Sequence, residues 1–125
     1  MTHIEDIKRM IDRQIEHGKK EEELRRKEID SLFRERARAH IIVRGKVQGV
    51  FFRDYAKKEA DKLGITGWAR NTDDGGVEII AEGDKMLLRR FIMLCKKGSP
   101  LSKVATVNHN WEEYTGKFND FYIKY

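Results

Sequence analysis

One nine-residue stretch, GKVQGVFFR from Gly45 to Arg53, combines two glycines four residues apart, an apolar run at Val50, Phe51 and Phe52, and a lone arginine. Glycine permits backbone angles and close approaches that other residues resist. If the stretch leads from a strand into a helix beginning at Arg53, the amides ahead of the helix have no intrahelical partner and can converge on an anion. Such a concave set of amides is a nest, and a guanidinium at its edge complements it. Arginine suits phosphate better than lysine because its planar fork grips two oxygens at once. The same residues also fit a plain strand–helix connection whose glycines only ease a turn. The stretch is not a Walker loop, since it lacks the terminal Gly-Lys-Ser/Thr, and it is not a dinucleotide fingerprint.

Other candidates for chemistry are scattered. His3, His17, His40 and His109 show no metal-ligand spacing, and His109 reads as a packed or surface residue of a strand. Cys95 is the single cysteine, so an internal disulfide or a cysteine-based zinc site is excluded. It falls on an apolar helix stripe and reads as core. Asp73 and Asp74 belong to a turn, where aspartate makes local hydrogen bonds. Trp68 and Trp111 read as core or sheet-face aromatics, and Lys57, Lys58 and Lys62 as a solvated helix face.

The elements that must position these residues follow from patterning. The 125 residues suit one compact domain plus an extension. Residues 1–39 carry 11 Lys/Arg and 10 Asp/Glu, whereas residues 40–125 carry 15 and 11. The net charge of +5 favours anionic partners. No segment resembles a leader or approaches the roughly 20 apolar residues that span a bilayer, so the expectation is a soluble cytoplasmic protein with no membrane association.

Residues 1–38 read as a charged amphipathic helical extension. Ile4, Ile7, Ile11 and Ile15 form one stripe, weakening after Gly18 to Leu24, Ile29, Leu32 and Phe33. Glu21–Arg25, Glu22–Arg26 and Glu23–Lys27 are i,i+4 pairs. Gly18 separates two helices or bends one. The stripe calls for burial, either in a homo-oligomer through residues 1–38 or on the rest of the chain.

From His40 the pattern changes. HIIVRG predicts a strand, Arg53–Leu63 a helix stopped by Gly64, ITGWARN a second strand, and TDDGG a hairpin turn. VEIIAEG predicts a half-buried strand with Val77, Ile79 and Ala81 inside. Asp84 caps a helix to Lys97 with Leu88, Phe91 and Cys95 buried, and Gly98 ends it. VATVNHNW places Val107, His109 and Trp111 on one strand face, and FYIKY is a terminal strand. The order βαββαβ plus a strand is the ferredoxin-like α+β plan, an antiparallel sheet with two helices on one face.

With these blocks in place, residues 39–125 resemble the acylphosphatase family. The resemblance rests on GKVQGVFFR, on GWARNTDDGGVEIIAEG, and on the tail GSPLSKVATVNHNWEEYTGKFNDFYIKY with its final aromatic. It implies hydrolysis of the carboxyl–phosphate bond of acyl phosphates, giving carboxylate and inorganic phosphate, with no cofactor, metal or covalent intermediate. It places the catalytic arginine at Arg53 and the catalytic asparagine at Asn71. The phosphate-binding loop it implies is Gln48, Gly49, Val50, Phe51, Phe52 and Arg53, acting through main-chain amides. Two readings compete with it. RNA binding would need exposed RNP1-like aromatics on the central strands, and HIIVRG and VEIIAEG lack them. A non-catalytic phosphate-sensing or oligomerisation module on the same fold is opposed by the intact pair Arg53 and Asn71.

Overall fold

The computed structural model describes residues 4, 6–11, 18, 20–25 and 34–125. They fall into two compact units, Met1–Arg34 and Glu35–Tyr125. In the first, residues 6–11 and 20–25 are helical, and Gly18 is itself helical. Ile4, Ile7, Ile11 and Leu24 are exposed. Ile15, Ile29, Leu32, Phe33 and the basic partners Arg26 and Lys27 lie outside the described residues.

The second unit runs β1 (Arg36–Lys46), α1 (Phe52–Lys62), β2 (Thr66–Asn71), β3 (Val77–Asp84), α2 (Lys85–Lys97), β4 (Lys103–Glu112) and β5 (Phe121–Lys124). The sheet order is β4-β1-β3-β2-β5. This is the expected ferredoxin-like α+β plan. The first strand starts earlier than His40, because Arg36 to Ala39 continue the ladder opposite Asp84 to Ala81. One ladder also departs from an antiparallel sheet: β5 runs parallel to β2, with Gly67 opposite Phe121 and Ala69 opposite Ile123. The cause is topological. The chain reverses after β4 at one edge and crosses to the other, so β5 takes the direction of β2.

Pairing register separates the two faces. Ala39, Ile41 and Val43 sit opposite Ala81, Ile79 and Val77, which sit opposite Gly67, Ala69 and Asn71. The apolar members of this set are fully or almost fully buried. Onto them α1 packs Ala56 and Ala60, and α2 packs Leu88, Phe91, Ile92 and Cys95. Two alanines with no exposed surface let α1 lie close to the sheet. Phe91 and Phe121 meet with ring centroids 5.9 Å apart at 65°, an edge arrangement favoured by the ring quadrupoles. Burial pushes the Cys95 thiol up to about 12, so it stays protonated as a core residue. The Asp84 carboxylate accepts from Met86 N at 2.8 Å and caps α2.

On the other face, strict alternation along β3 fails at Ile80, which is 5% exposed, and at Glu82, which is 1% exposed. Its carboxylate accepts from Thr115 N (3.0 Å), Thr115 Oγ1 (2.8 Å) and Gly116 N (3.0 Å), and Arg38 lies 3.8 Å away. A charged group survives burial when it is hydrogen-bonded and paired, and here it pins the segment crossing from β4 to β5. Lys57 differs from a purely solvated lysine as well. Its Nζ donates to Phe121 O at 2.8 Å and ties α1 to β5.

Candidate active site

The loop between β1 and α1 is held by three apolar anchors, Val47, Val50 and Phe52, all buried. Between them Gly49 and Phe51 adopt positive φ, 71° and 60°. Left-handed geometry costs a side-chain-bearing residue about 1–2 kcal/mol, and strained backbone concentrates at functional sites. Ser99, itself buried, donates its hydroxyl to Val50 O at 2.9 Å and fixes the loop from below. The first intrahelical bond of α1 runs from Tyr55 N to Phe51 O at 3.0 Å. The amides of Gly49, Val50, Phe51, Phe52 and Arg53 donate to no other described residue. They are free donors at the positive end of a helix.

The two glycines do different work. A Cβ on Gly45 would meet Lys103 O at 2.2 Å and Ala105 N at 2.6 Å. Gly45 therefore serves the irregular join of β1 to β4, where the register shifts between Arg44 and Gly45. A Cβ on Gly49 would meet nothing within 4 Å, so that position needs glycine for its backbone angle alone.

Arg53 lies in the first turn of α1, half-buried, and makes no ion pair with a described residue. Its guanidinium carbon stands 5.0 Å from the centroid of the Tyr125 ring. Asn71 ends β2 opposite Val77, on the helix-covered face. Its Oδ1 is buried and receives no hydrogen bond from the protein. Gly49, Phe51, Phe52, Arg53, Asn71 and Tyr125 line one hollow of about 300 Å³. Asp54 lines it too, so the hollow brings together a cation without an ion-pair partner among the described residues, a carboxylate and the amide of Asn71.

Comparison with known proteins gives this geometry its context. The family model for acylphosphatase matches residues 39–123. An acylphosphatase of Pelotomaculum thermopropionicum is 46% identical over 90 residues, 72% of this chain and 98% of the relative. One from Pyrobaculum calidifontis is 48% identical over 99 residues, covering 78% and 90%. The crystal structure of acylphosphatase from Bacillus subtilis superposes with a TM-score of 0.69 at 43% identity, covering 71% of this chain and 99% of that one. This chain belongs to the acylphosphatase family. Its enzymatic activity is that of an acylphosphatase.

Within this acylphosphatase, Arg53, Asn71 and the loop residues Gly49, Phe51 and Phe52 come together around the hollow, whereas the Val50 side chain is buried as an anchor. The Gln48 side chain has a partner that sequence reasoning missed. Its Nε2 donates to Thr72 O and to Gly76 O, each at 2.7 Å. Nothing in sequence spacing signals a contact between residues 24 and 28 positions apart. His109 is exposed, with its ring centroid 5.4 Å from that of Trp111, and it does not line the hollow at Arg53.

The turn after Asn71 is closed on itself. Thr72 N donates to Gly76 O (2.9 Å), Gly75 N to Thr72 O (3.2 Å), and Gly76 N to Thr72 Oγ1 (3.0 Å). The Thr72 hydroxyl donates to Asp74, and Arg44 donates to the same carboxylate at 2.6 Å. The Thr72 bond first and the Arg44 bond second lower the Asp74 carboxyl to about 2. A second hollow of about 330 Å³ borders Asn71 beside this turn. Its two arginines are already paired, Arg44 with Asp74 and Arg70 with Glu78, which distinguishes it from the hollow at Arg53.

Proposed function

We propose that this acylphosphatase hydrolyses small acyl phosphates at the Arg53 hollow, releasing carboxylate and inorganic phosphate. The loop amides and the Arg53 guanidinium hold the phosphoryl oxygens, and Asn71 orients the attacking water. The carboxylate is a good leaving group, so the protein supplies mainly positioning and charge stabilisation. Amides that need not reorganise, together with a cation, offset charge on the phosphoryl oxygens as the bond breaks. An amide is a poor base, so the proton leaving the water passes to the substrate's own phosphate. The carboxamide oxygen of Asn71 accepts a hydrogen bond from that water and aims it at phosphorus.

The observation that carries this reading is the buried Asn71 Oδ1, an acceptor without a protein donor, in a residue that lines the same hollow as Arg53. Buried acceptors are normally satisfied, and one left open in a residue at the edge of this hollow is suited to a bound water. Phosphate release from acetyl phosphate tests the reading. Turnover by the wild-type chain that falls by about 10²–10³-fold in Asn71→Ala supports it. A wild-type chain that binds phosphate and releases none would support the phosphate-sensing module instead.

A further inference from the structure

We infer that Gln48 is a positioning residue whose side chain sets where Asn71 stands relative to the phosphate-binding loop. The inference rests on the role given to Asn71 above. The Gln48 amide nitrogen carries two hydrogens and spends both on the turn, on Thr72 O and Gly76 O at 2.7 Å each. These carbonyls stand at the two ends of the turn, one next to Asn71 and the other next to Val77. Two bonds from one planar group fix orientation, where a single bond would allow the turn to swivel.

The turn can be positioned as a body because its internal hydrogen bonds close it, from Thr72 N to Gly76 O and from Gly75 N to Thr72 O. Gln48 in turn sits in the backbone of the loop, directly before Gly49. The apolar anchors Val47, Val50 and Phe52 hold that loop to the core. A charged tie to the turn, Arg44 with Asp74, joins two side chains that are each about half exposed, 51% and 56%. Exposed pairs hold geometry weakly. The clamp from Gln48 is therefore the firm link between the element that would hold phosphate and the element that would hold water.

Reacting groups must approach within about 3–3.5 Å, and a misplacement of about 1 Å costs on the order of 10²-fold in rate. Phosphate binding needs no such alignment with Asn71. Loss of the clamp should thus lower kcat and spare phosphate affinity. Both carbonyls keep a backbone donor when Gln48 is changed, Gly75 N for Thr72 O and Thr72 N for Gly76 O, so no buried acceptor is left empty.

The test is a double-mutant cycle on the full chain, with kcat, KM and the inhibition constant for inorganic phosphate measured on acetyl phosphate. Gln48→Met, of similar length without donors, is expected to lower kcat about 10–100-fold and to leave phosphate inhibition within about two-fold. In the Asn71→Ala background the same substitution should change kcat by less than about three-fold, because the residue it positions is gone. Gln48→Lys, which keeps donors at that reach, should stay within about five-fold of wild type. Gln48→Leu, of similar bulk, uncharged and without donors, should repeat the methionine result and replaces it if that variant does not fold. An unchanged kcat, a parallel loss of phosphate affinity, an equal loss with Asn71 absent, or a lysine variant as slow as the methionine one would each overturn the inference. Wild-type kcat in Asn71→Ala alone would instead overturn the role of Asn71, a failure read from a different arm of the cycle.

Discussion

The loop 47–53 and the turn 72–76 are joined by the Gln48 side chain, yet they manage their polar groups in opposite ways. The loop leaves its amides unspent and is held by apolar anchors, with two residues at positive φ. The turn spends its polar groups on itself, through Thr72, Asp74, Gly75 and Gly76. Between them, Asn71 keeps one buried oxygen open. In the proposed mechanism the difference has a use: binding capacity lies in donors withheld from the fold, while alignment lies in donors fully committed to it.

The sharpest way to break the contrast is to remove the charge on the loop side. Arg53→Ala should lower turnover by at least about 10³-fold and weaken phosphate inhibition with it, because it takes away a preorganised group that binds substrate and transition state alike. Steady-state kinetics with phosphate as inhibitor reads both. An Arg53→Ala chain that still binds phosphate normally would mean the amides suffice.

The two glycines allow a finer separation. Gly45→Ala forces a methyl against backbone at 2.2 Å and should destabilise the domain by about 2–3 kcal/mol. Gly49→Ala meets open space and should cost about 1–2 kcal/mol for its φ, with phosphate affinity as the property it disturbs most. Denaturant unfolding and phosphate titration of both variants check the ranking, and a larger stability loss at Gly49 would reverse it.

The smallest effect concerns the turn. Hydrogen bonds from Thr72 and Arg44 hold the Asp74 carboxyl down to about 2, below its ordinary value of 3.8. A lowered carboxylate contributes stability that is present above its unfolded pKa and lost as pH falls through the folded one. The stability gap between wild type and Asp74→Asn should therefore be constant above about pH 4 and shrink between about pH 4 and pH 2. Acid unfolding followed by circular dichroism reads the gap, and one that widened on acidification would contradict the assignment.

Much of this was legible in the sequence because it rests on local rules. Asp84 as a helix cap, Gly64 and Gly98 as stops, and the Ala56–Ala60 face all follow from spacing and backbone preference. The proposed anion site at Arg53 and the loop amides came from residue types and spacing, and the proposed role of Asn71 from the resemblance to the acylphosphatases. What escaped depends on contacts far apart in the chain. Gly45 looks like a loop glycine until β4 lies against it, Glu82 looks solvent-facing until residues 115–116 cross over it, and β5 looks like any last strand until the crossing turns it parallel to β2. The Gln48 clamp escaped for the same reason, since hydrogen bonds across 24 and 28 residues leave no periodic trace.

The account stands most directly on Asn71. Measured side by side on acetyl phosphate, Asn71→Ala should show kcat reduced by about 10²–10³-fold with the inhibition constant for inorganic phosphate unchanged. Near wild-type turnover in that variant, or a loss of phosphate binding equal to the loss of turnover, would contradict the division of labour between a loop that holds phosphate and an asparagine that holds water.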